Sequence, residues 1–297
     1  MSVNKRITIA LALLPLSFPC FGEPAELNWT GCDVSKSAYV NDLANAYVRK
    51  TGIPVNLHPG DSSSAIRDVQ NGDADIGGTS RYLLPDDPLE AGVDLVPVAW
   101  DALAIIVHKD NPVIDISLDQ IKAIYTGKIE NWSGLGGTDQ KIEVFAHKNK
   151  DSGAERTLRE LLFSDPDKYI PASRVFDSSA ELEQALTENP NAIAIIGVSN
   201  ARLGDYKIVS LDGTTPSVDN IKSGTYGLYR PLYLAYNPAS PRIESIKGFI
   251  SYVNSKTGRD IMRSNGVVPY REAMSLVMKK VRDNEATYPQ SVDKDKY

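Results

Sequence analysis

The sequence predicts an α/β fold, on two observations. Short runs with strand character alternate with amphipathic stretches at helical spacing along most of the chain, and the first half orders them as a β-α-β-α-β unit. Leu27–Thr30 reads as the first strand. Tyr39, Val40, Leu43, Ala46 and Tyr47 follow at helical spacing and end at Thr51-Gly52, a helix stop. Ile53–Leu57 is a second strand. Ser62-Ser63-Ser64 then precedes Ala65, Ile66 and Val69 and opens a second, capped helix, and Ala74–Gly77 is a third strand. In open α/β sheets ligands sit in the loops at the carboxyl ends of such strands.

Val93–Val107 is nearly continuous apolar sequence, broken by Pro97 and Asp101, and fits two buried strands. Helices follow at Leu118–Tyr125, Ala154–Phe163 and Glu181–Leu186, with a Gly-rich turn region at Asn131–Gly137. Strands are expected at Ile142–Ala146, Ala192–Ile196 and Pro231–Tyr236, and helices at Ile243–Val253, Gly258–Met262 and Glu272–Val281. The chain is invited to cross between lobes near Val107–Pro112 and near Tyr226–Pro231. That divides it into a discontinuous first lobe, residues 23–110 plus 228–297, and an inserted second lobe, residues 111–227, joined by a hinge.

Residues 1–22 have the order of a secretory signal peptide. Lys5 and Arg6 precede the apolar run Ile7–Leu16, and Cys20 and Gly22 place small residues at −3 and −1 of a cleavage site. The run is shorter than the roughly 20 apolar residues of a spanning helix. Ser17-Phe18-Pro19 also puts a bulky residue and a proline where acylation of Cys20 would call for small ones. Cleavage after Gly22 removes two positive charges and moves the net charge from −6 to −8. That balance argues against nucleic acid as a partner, but a pocket can still be locally positive toward a small anion. Only Cys32 then remains, so no internal disulfide is available in a compartment that permits one. His58, His108 and His147 lie far apart, and no Cys/His cluster has metal-ligand spacing, so neither a metal nor another cofactor is expected.

Three loops share one physical feature. Gly31-Cys32-Asp33-Val34, Gly60-Asp61-Ser62-Ser63-Ser64 and Asp151-Ser152-Gly153-Ala154 each stand at the start of a helix. The first turn of a helix leaves amide N–H groups unpaired and carries the positive end of the dipole, so each loop can receive an anion. Serines add hydroxyl donors, and glycines allow close approach of the backbone. Each serine is also an ordinary helix cap, and convergence of the three loops is a question for the structure.

Several of these stretches resemble periplasmic phosphate-binding proteins of ABC importers, a type II periplasmic binding protein family. The resemblance runs through Gly60-x-Ser62-Ser63-Ser64-Ala65-Ile66 and Gly72-x-Ala74-Asp75-Ile76-Gly77-Gly78-Thr79-Ser80-Arg81, then ISLDQIKAIYTGKIENW at Ile116–Trp132. It continues through Lys148–Gly153, Ala194–Ser199, Tyr226–Tyr233 with Arg230-Pro231-Leu232, and Asn265–Pro269, in order from about Leu27 to Tyr270. It implies two lobes, each a mixed sheet flanked by helices, with a ligand cleft between them that closes on the anion. It also implies contacts: backbone of Asp33 and Val34, the Ser62 hydroxyl with Ser63 beside it, and a donor triplet at Ser152, Gly153 and Ala154. Lys148 matches the place of a clamping arginine. Ser80 stands where some relatives carry an aspartate that accepts the ligand's proton, and Arg81 follows it as a candidate cation or a surface charge. Ala154 lacks the usual threonine hydroxyl, and Lys148 lacks the bidentate fork of an arginine.

These readings add up to a periplasmic, monomeric, non-enzymatic receptor for phosphate or a similar oxyanion, with an inner-membrane ABC permease as the implied partner. A receptor for another small anion, used in uptake or sensing, is the alternative. A secreted hydrolase with Ser62 or Ser152 as nucleophile would need a base within reach, and no triad signature appears. Asp33 has two readings, as acceptor of a ligand proton or as a cap on its own helix. Trp132 reads as a packing anchor, Asp75 as a turn brace, Arg156 as an outer-face charge and Cys32 as a small buried hydrophobe.

Overall fold

The computed structural model describes residues 26–148 and 153–279. The signal-peptide segment, the Asn284 tail, Asp151 and Ser152 therefore lie outside the described residues.

The first sheet grows from three parallel strands. β1 (Leu27–Gly31) leads into α1 (Asp33–Ser35), a π-helical turn at Lys36–Val40 and α2 (Asn41–Thr51). Gly52 ends α2 in the left-handed region at φ 76°, where a residue without Cβ is unstrained. β2 (Val55–Pro59), α3 (Ser62–Asn71) and β3 (Ile76–Thr79) complete the unit in spatial order β2-β1-β3. β2 and β3 each start two residues later than the sequence reading placed them.

The expected pair of strands over Val93–Val107 is a single strand, β4 (Asp94–His108). Pro97 does not break it, because a bulge absorbs the missing donor. The register steps from Leu232 opposite Ala99 to Tyr233 opposite Pro97, leaving Val98 as the extra residue. β4 then serves two sheets. Up to Ala102 it pairs with β10, and from Leu103 with β8 and β9.

The second sheet follows. β5 (Asp115–Ile116) leads to α4 (Leu118–Tyr125), which Ser117 and Gln120 close with a capping box. β6 (Glu143–His147), α5 (Gly153–Phe163), β7 (Arg174–Phe176), α6 (Ser179–Glu188), β8 (Ala192–Gly197), α7 (Val198–Ala201) and β9 (Tyr206–Leu211) come next. Their order runs β4-β8-β6-β7, with β9 pairing β4 and β5. After α8 (Val218–Ser223) the chain returns. The Tyr226 hydroxyl donates to the Leu103 carbonyl at 2.8 Å, and Leu103 N–H donates to Leu228 at 2.8 Å. The return therefore runs beside β4 where that strand changes partners. β10 (Tyr229–Tyr236), α9 (Ile243–Val253), α10 (Lys256–Ser264) and β11 (Val268–Pro269) finish the first sheet and its cover.

One apolar cluster runs through both sheets, from Leu27 and Trp29 to Trp132 and Ile193. Trp132, fully buried, donates its indole N–H to the Asn191 carbonyl at 3.0 Å, so a large ring is packed with its polar edge satisfied. Asp75 accepts from Asn28 N–H at 2.8 Å and pairs with Arg242 at 3.2 Å, bracing the entry to β1.

Candidate functional site

The site is built where strand ends of the first sheet meet α5. Asp61 caps α3, taking the amides of both Ser63 and Ser64 on Oδ1 at 2.8 Å, while Ser64 Oγ accepts the Asp61 N–H at 2.9 Å. The serines are thus inside the first turn, and Asp61 is the cap. Two amides of this turn are already bonded, so what α3 brings to the cleft is the Ser62 hydroxyl. Ser62 is fully buried; its Oγ accepts the Ser80 N–H at 3.0 Å and lies 3.4 Å from the Ser80 hydroxyl.

α5 arrives from the other side at van der Waals range. Thr157 Oγ1 donates to the Ser80 carbonyl at 3.2 Å. A Cβ added to Gly153 would stand 2.3 Å from Ser62 Oγ and 2.3 Å from Ser80 Oγ, so only glycine lets the helix start come this near. Gly153 is fully packed and Ala154 partly exposed. The loop carrying Ser152 lies outside the described residues.

The first loop closes in beside it. Cys32 occupies the cap position of α1 without capping it through its side chain; its Sγ lies 3.3 Å from Ser35 Oγ. Val34 is buried, and a Cβ on Gly197 would stand 3.0 Å from Val34 Cγ1 and 3.0 Å from Asp101 Oδ2. Asp33 is exposed in the first turn, one residue past the cap position. Its charge is felt by Glu183 of α6. Burial pushes the Glu183 carboxyl above its ordinary range and Asp33 adds to that, against hydrogen bonds from Asn200 and Tyr206.

The cations differ sharply in what they are free to do. Arg81 is buried and bound to Glu90 on both oxygens, at 2.5 and 3.1 Å, and also donates to Ser63 Oγ at 3.0 Å and the Tyr82 carbonyl at 2.7 Å. Arg81 thus organises the Ser63 turn from behind. Lys148 pairs with Asp177 at 3.2 Å, with both side chains mostly exposed. Arg156 lies beside Glu160 at 3.5 Å on α5.

A buried ion pair that the sequence reading did not single out lies closest to the junction. Arg230 of β10 sits directly opposite Asp101 of β4 in register. Its Nε and one terminal nitrogen both reach Asp101 Oδ2 at 3.3 Å, and the other terminal nitrogen donates to the Gly153 carbonyl at 3.3 Å. Both residues are essentially inaccessible, at 1% and 0% exposure. Burial pushes the Asp101 carboxyl up to about 6; Arg230 and the amides of Val198 and Ser199 at the start of α7 pull the other way. Asp101 Oδ1 makes no hydrogen bond, although those amides lie near enough to favour its charge. A sequence signal existed: Asp101 is the only charge between Leu95 and Val107, and Arg230 the only one in Tyr229–Tyr236. Lone opposite charges in two buried strands must find each other.

Of the expected site residues, the structure brings together Ser62, Ser80 and Gly153, with Ser63 and Arg81 one layer behind, while Val34 packs at Gly197 beside Asp101. Lys148 is turned toward Asp177, and Asp33 stands at the exposed edge.

A family model described as the PBP superfamily domain matches residues 30–257, a span that holds every cleft residue named above. The chain belongs to the PBP superfamily. Phosphate-binding protein PstS of Bacillus subtilis (strain 168) is 29% identical to this superfamily member over 236 residues, covering 77% of this chain and 74% of that one. Its namesake from Pseudomonas aeruginosa (PAO1 strain) is 28% identical over 243 residues, or 73% and 74% of the two chains. Among solved structures, a putative phosphate ABC transporter substrate-binding protein with bound phosphate from Clostridium perfringens superposes with TM-score 0.74 at 30% identity, covering 82% of this chain and 99% of that one. An ABC-type phosphate transport receptor from Vibrio cholerae gives TM-score 0.64 at 27% identity, with coverage of 82% and 99%. The fold of this PBP-superfamily chain is accordingly the two-lobed α/β arrangement.

Proposed function

We propose that this chain is a periplasmic solute-binding protein that captures inorganic phosphate and presents it to an ABC permease. The observation that carries the reading is the meeting of Ser62, Ser80 and Gly153, where two buried hydroxyls face the first turn of an eleven-residue helix with no side chain between them. Hydroxyl donors and unpaired first-turn amides are what a tetrahedral oxyanion accepts from. The similar proteins from Bacillus subtilis and Clostridium perfringens, the one a phosphate-binding protein and the other with phosphate bound, point to the same anion.

The contacts assigned to the ligand are the backbone of Asp33 and Val34, the hydroxyls of Ser62, Ser80 and Ser152, and the amides of Gly153 and Ala154. Ser63 and Arg81 support the site from behind, and Lys148 stands at its exposed edge, paired with Asp177. Capture works by hinge closure between lobe I and lobe II, the chain crossing from the first to the second where β4 changes partners between Ala102 and Leu103 and returning through residues 226–228. Donors from both lobes must meet the anion together, so the ligand stabilises the closed form over the open one. Residues 1–22 direct export, the mature chain acts as a monomer, and the site needs no metal.

Binding rather than turnover is the expected chemistry. Ser62 is hydrogen-bonded to Ser80, while His147 lies 3.2 Å from the Ser179 hydroxyl and 3.5 Å from Glu155, away from Ser62's partners. Thermal melting of ligand-free protein against a panel of oxyanions, with a chelator present, tests the reading. A ligand at a hundred times its Kd raises stability by about 2.7 kcal/mol. No shift with any oxyanion, or turnover of a chromogenic phosphoester, would sink it.

A further inference from the structure

We propose that Arg230 is the cation of the anion cleft: it supplies buried positive charge behind the first turn of α5 and fixes that turn against lobe I. The inference rests on the oxyanion-receptor reading and asks which side chain gives the cleft its charge.

The other cations near the site are committed elsewhere. Arg81 forks across both oxygens of Glu90 and also reaches a hydroxyl and a carbonyl, so four of its five N–H donors are used inside lobe I; its Nε makes no hydrogen bond among the described residues. Lys148, at the position where the resemblance puts a clamp, carries 67% of its side-chain surface exposed and pairs with Asp177. A flexible ammonium in water, already paired, adds little field to a buried anion.

Arg230 differs from both in how loosely it is held and in what it touches. It is 1% exposed, and its hydrogen bonds of 3.3 Å are long beside the roughly 2.7–2.9 Å of tight charge-assisted ones. Two of its nitrogens share a single oxygen of Asp101 rather than forking across both. A guanidinium has about five N–H donors, so capacity remains after these contacts. Its third contact is the carbonyl of Gly153, the residue pressed against the Ser62 and Ser80 hydroxyls. Asp101, its partner, lies against Gly197 where Val34 closes in. The pair therefore sits between two contacts of the lobes, Gly153 on Ser62 and Ser80, and Gly197 on Val34. Charge in such a water-excluded position acts on a ligand with far less screening than a surface charge. Holding the Gly153 carbonyl also sets the aim of the amides at the helix start.

The test is calorimetric titration of inorganic phosphate into ligand-free wild type, Arg230→Gln, Arg230→Lys and Asp101→Asn, with melting curves of each without phosphate. Arg230→Gln should weaken phosphate binding by about tenfold to a hundredfold. Arg230→Lys should recover most of that loss because the charge remains. Asp101→Asn should tighten binding several-fold, since it leaves Arg230 uncompensated; a purely architectural pair predicts the reverse. The proposal is overturned if cooperatively folded Arg230→Gln binds as wild type does, or if Asp101→Asn weakens phosphate. Should Arg230→Gln fail to fold, the direction of change in Asp101→Asn decides alone. Wild type that binds no phosphate would instead overturn the receptor reading, and the proposal with it.

Discussion

Gly153→Ala places one methyl group at the point where the lobes meet. Its Cβ would stand 2.3 Å from Ser62 Oγ, 2.3 Å from Ser80 Oγ and 3.1 Å from Ser62 Cβ. Close carbon–oxygen contacts settle at about 3.3–3.6 Å, so each pair must part by about 1 Å. The hydroxyls have little room to yield: Ser62 is fully buried and its Oγ is held by the Ser80 N–H at 3.0 Å. Alanine is otherwise a better helix former than glycine, so the substitution does not strain α5 itself. Two responses remain: the lobes stay apart by about 1 Å, or both hydroxyls turn away. Either removes donors to a charged ligand, each worth about 1.5–3 kcal/mol, for a total loss of about a hundredfold or more in affinity. Ligand-free protein can relieve the clash by opening, so its melting temperature should change little. Calorimetry of the variant with phosphate, alongside its ligand-free melt, tests this. Binding within about threefold of wild type would refute the steric argument and the closure geometry behind it.

Glu90→Gln leaves the buried Arg81 without its charge partner and should cost about 3–5 kcal/mol in urea unfolding, a loss that a surface pair would not show. A cost under about 1 kcal/mol would mean that Arg81 finds another partner. Asp33→Asn should weaken phosphate and narrow the gap to sulfate in competition titrations, because phosphate near neutral pH has a proton to donate and sulfate has none. An unchanged ratio would show that Asp33 takes no proton from the ligand. The Asp101 carboxyl is raised in the folded state to about 6 from 3.8, so folded protein binds its proton more readily than unfolded chain. Its contribution to stability is therefore present below about pH 4 and lost as pH rises through about 6. The stability of wild type relative to Asp101→Asn should grow between those limits on acidification. Parallel pH profiles for the two proteins would contradict that.

Much of the first lobe was legible because its signals are local. Apolar alternation gives β1, and the Thr51-Gly52 stop ends α2 where Gly52 takes its left-handed turn. The serine run marked the start of α3 correctly, but Asp61 is its cap, and a neighbouring serine run hides that choice from the sequence. β4 was read as two strands because Pro97 normally interrupts a ladder. Its bulge depends on where β10 pairs, which is tertiary information. β5 and β7 are two and three residues long, too short to show a period. β9 is six residues long with a mostly half-buried pattern, and its place is set by pairing with β4 and β5. The loops of the site were visible as helix starts. The division of labour among Arg81, Lys148 and Arg230 was not, since it turns on which carboxylate each one meets across the fold.

The central claim, metal-free capture of phosphate by two closing lobes, is tested most directly by titrating phosphate into refolded, ligand-free protein by calorimetry in the presence of a chelator. The account predicts saturable binding with one phosphate per chain, undiminished by the chelator and abolished or severely weakened in Gly153→Ala. Absence of binding heat for phosphate and for every other oxyanion tried, with the protein shown to be folded, would contradict it.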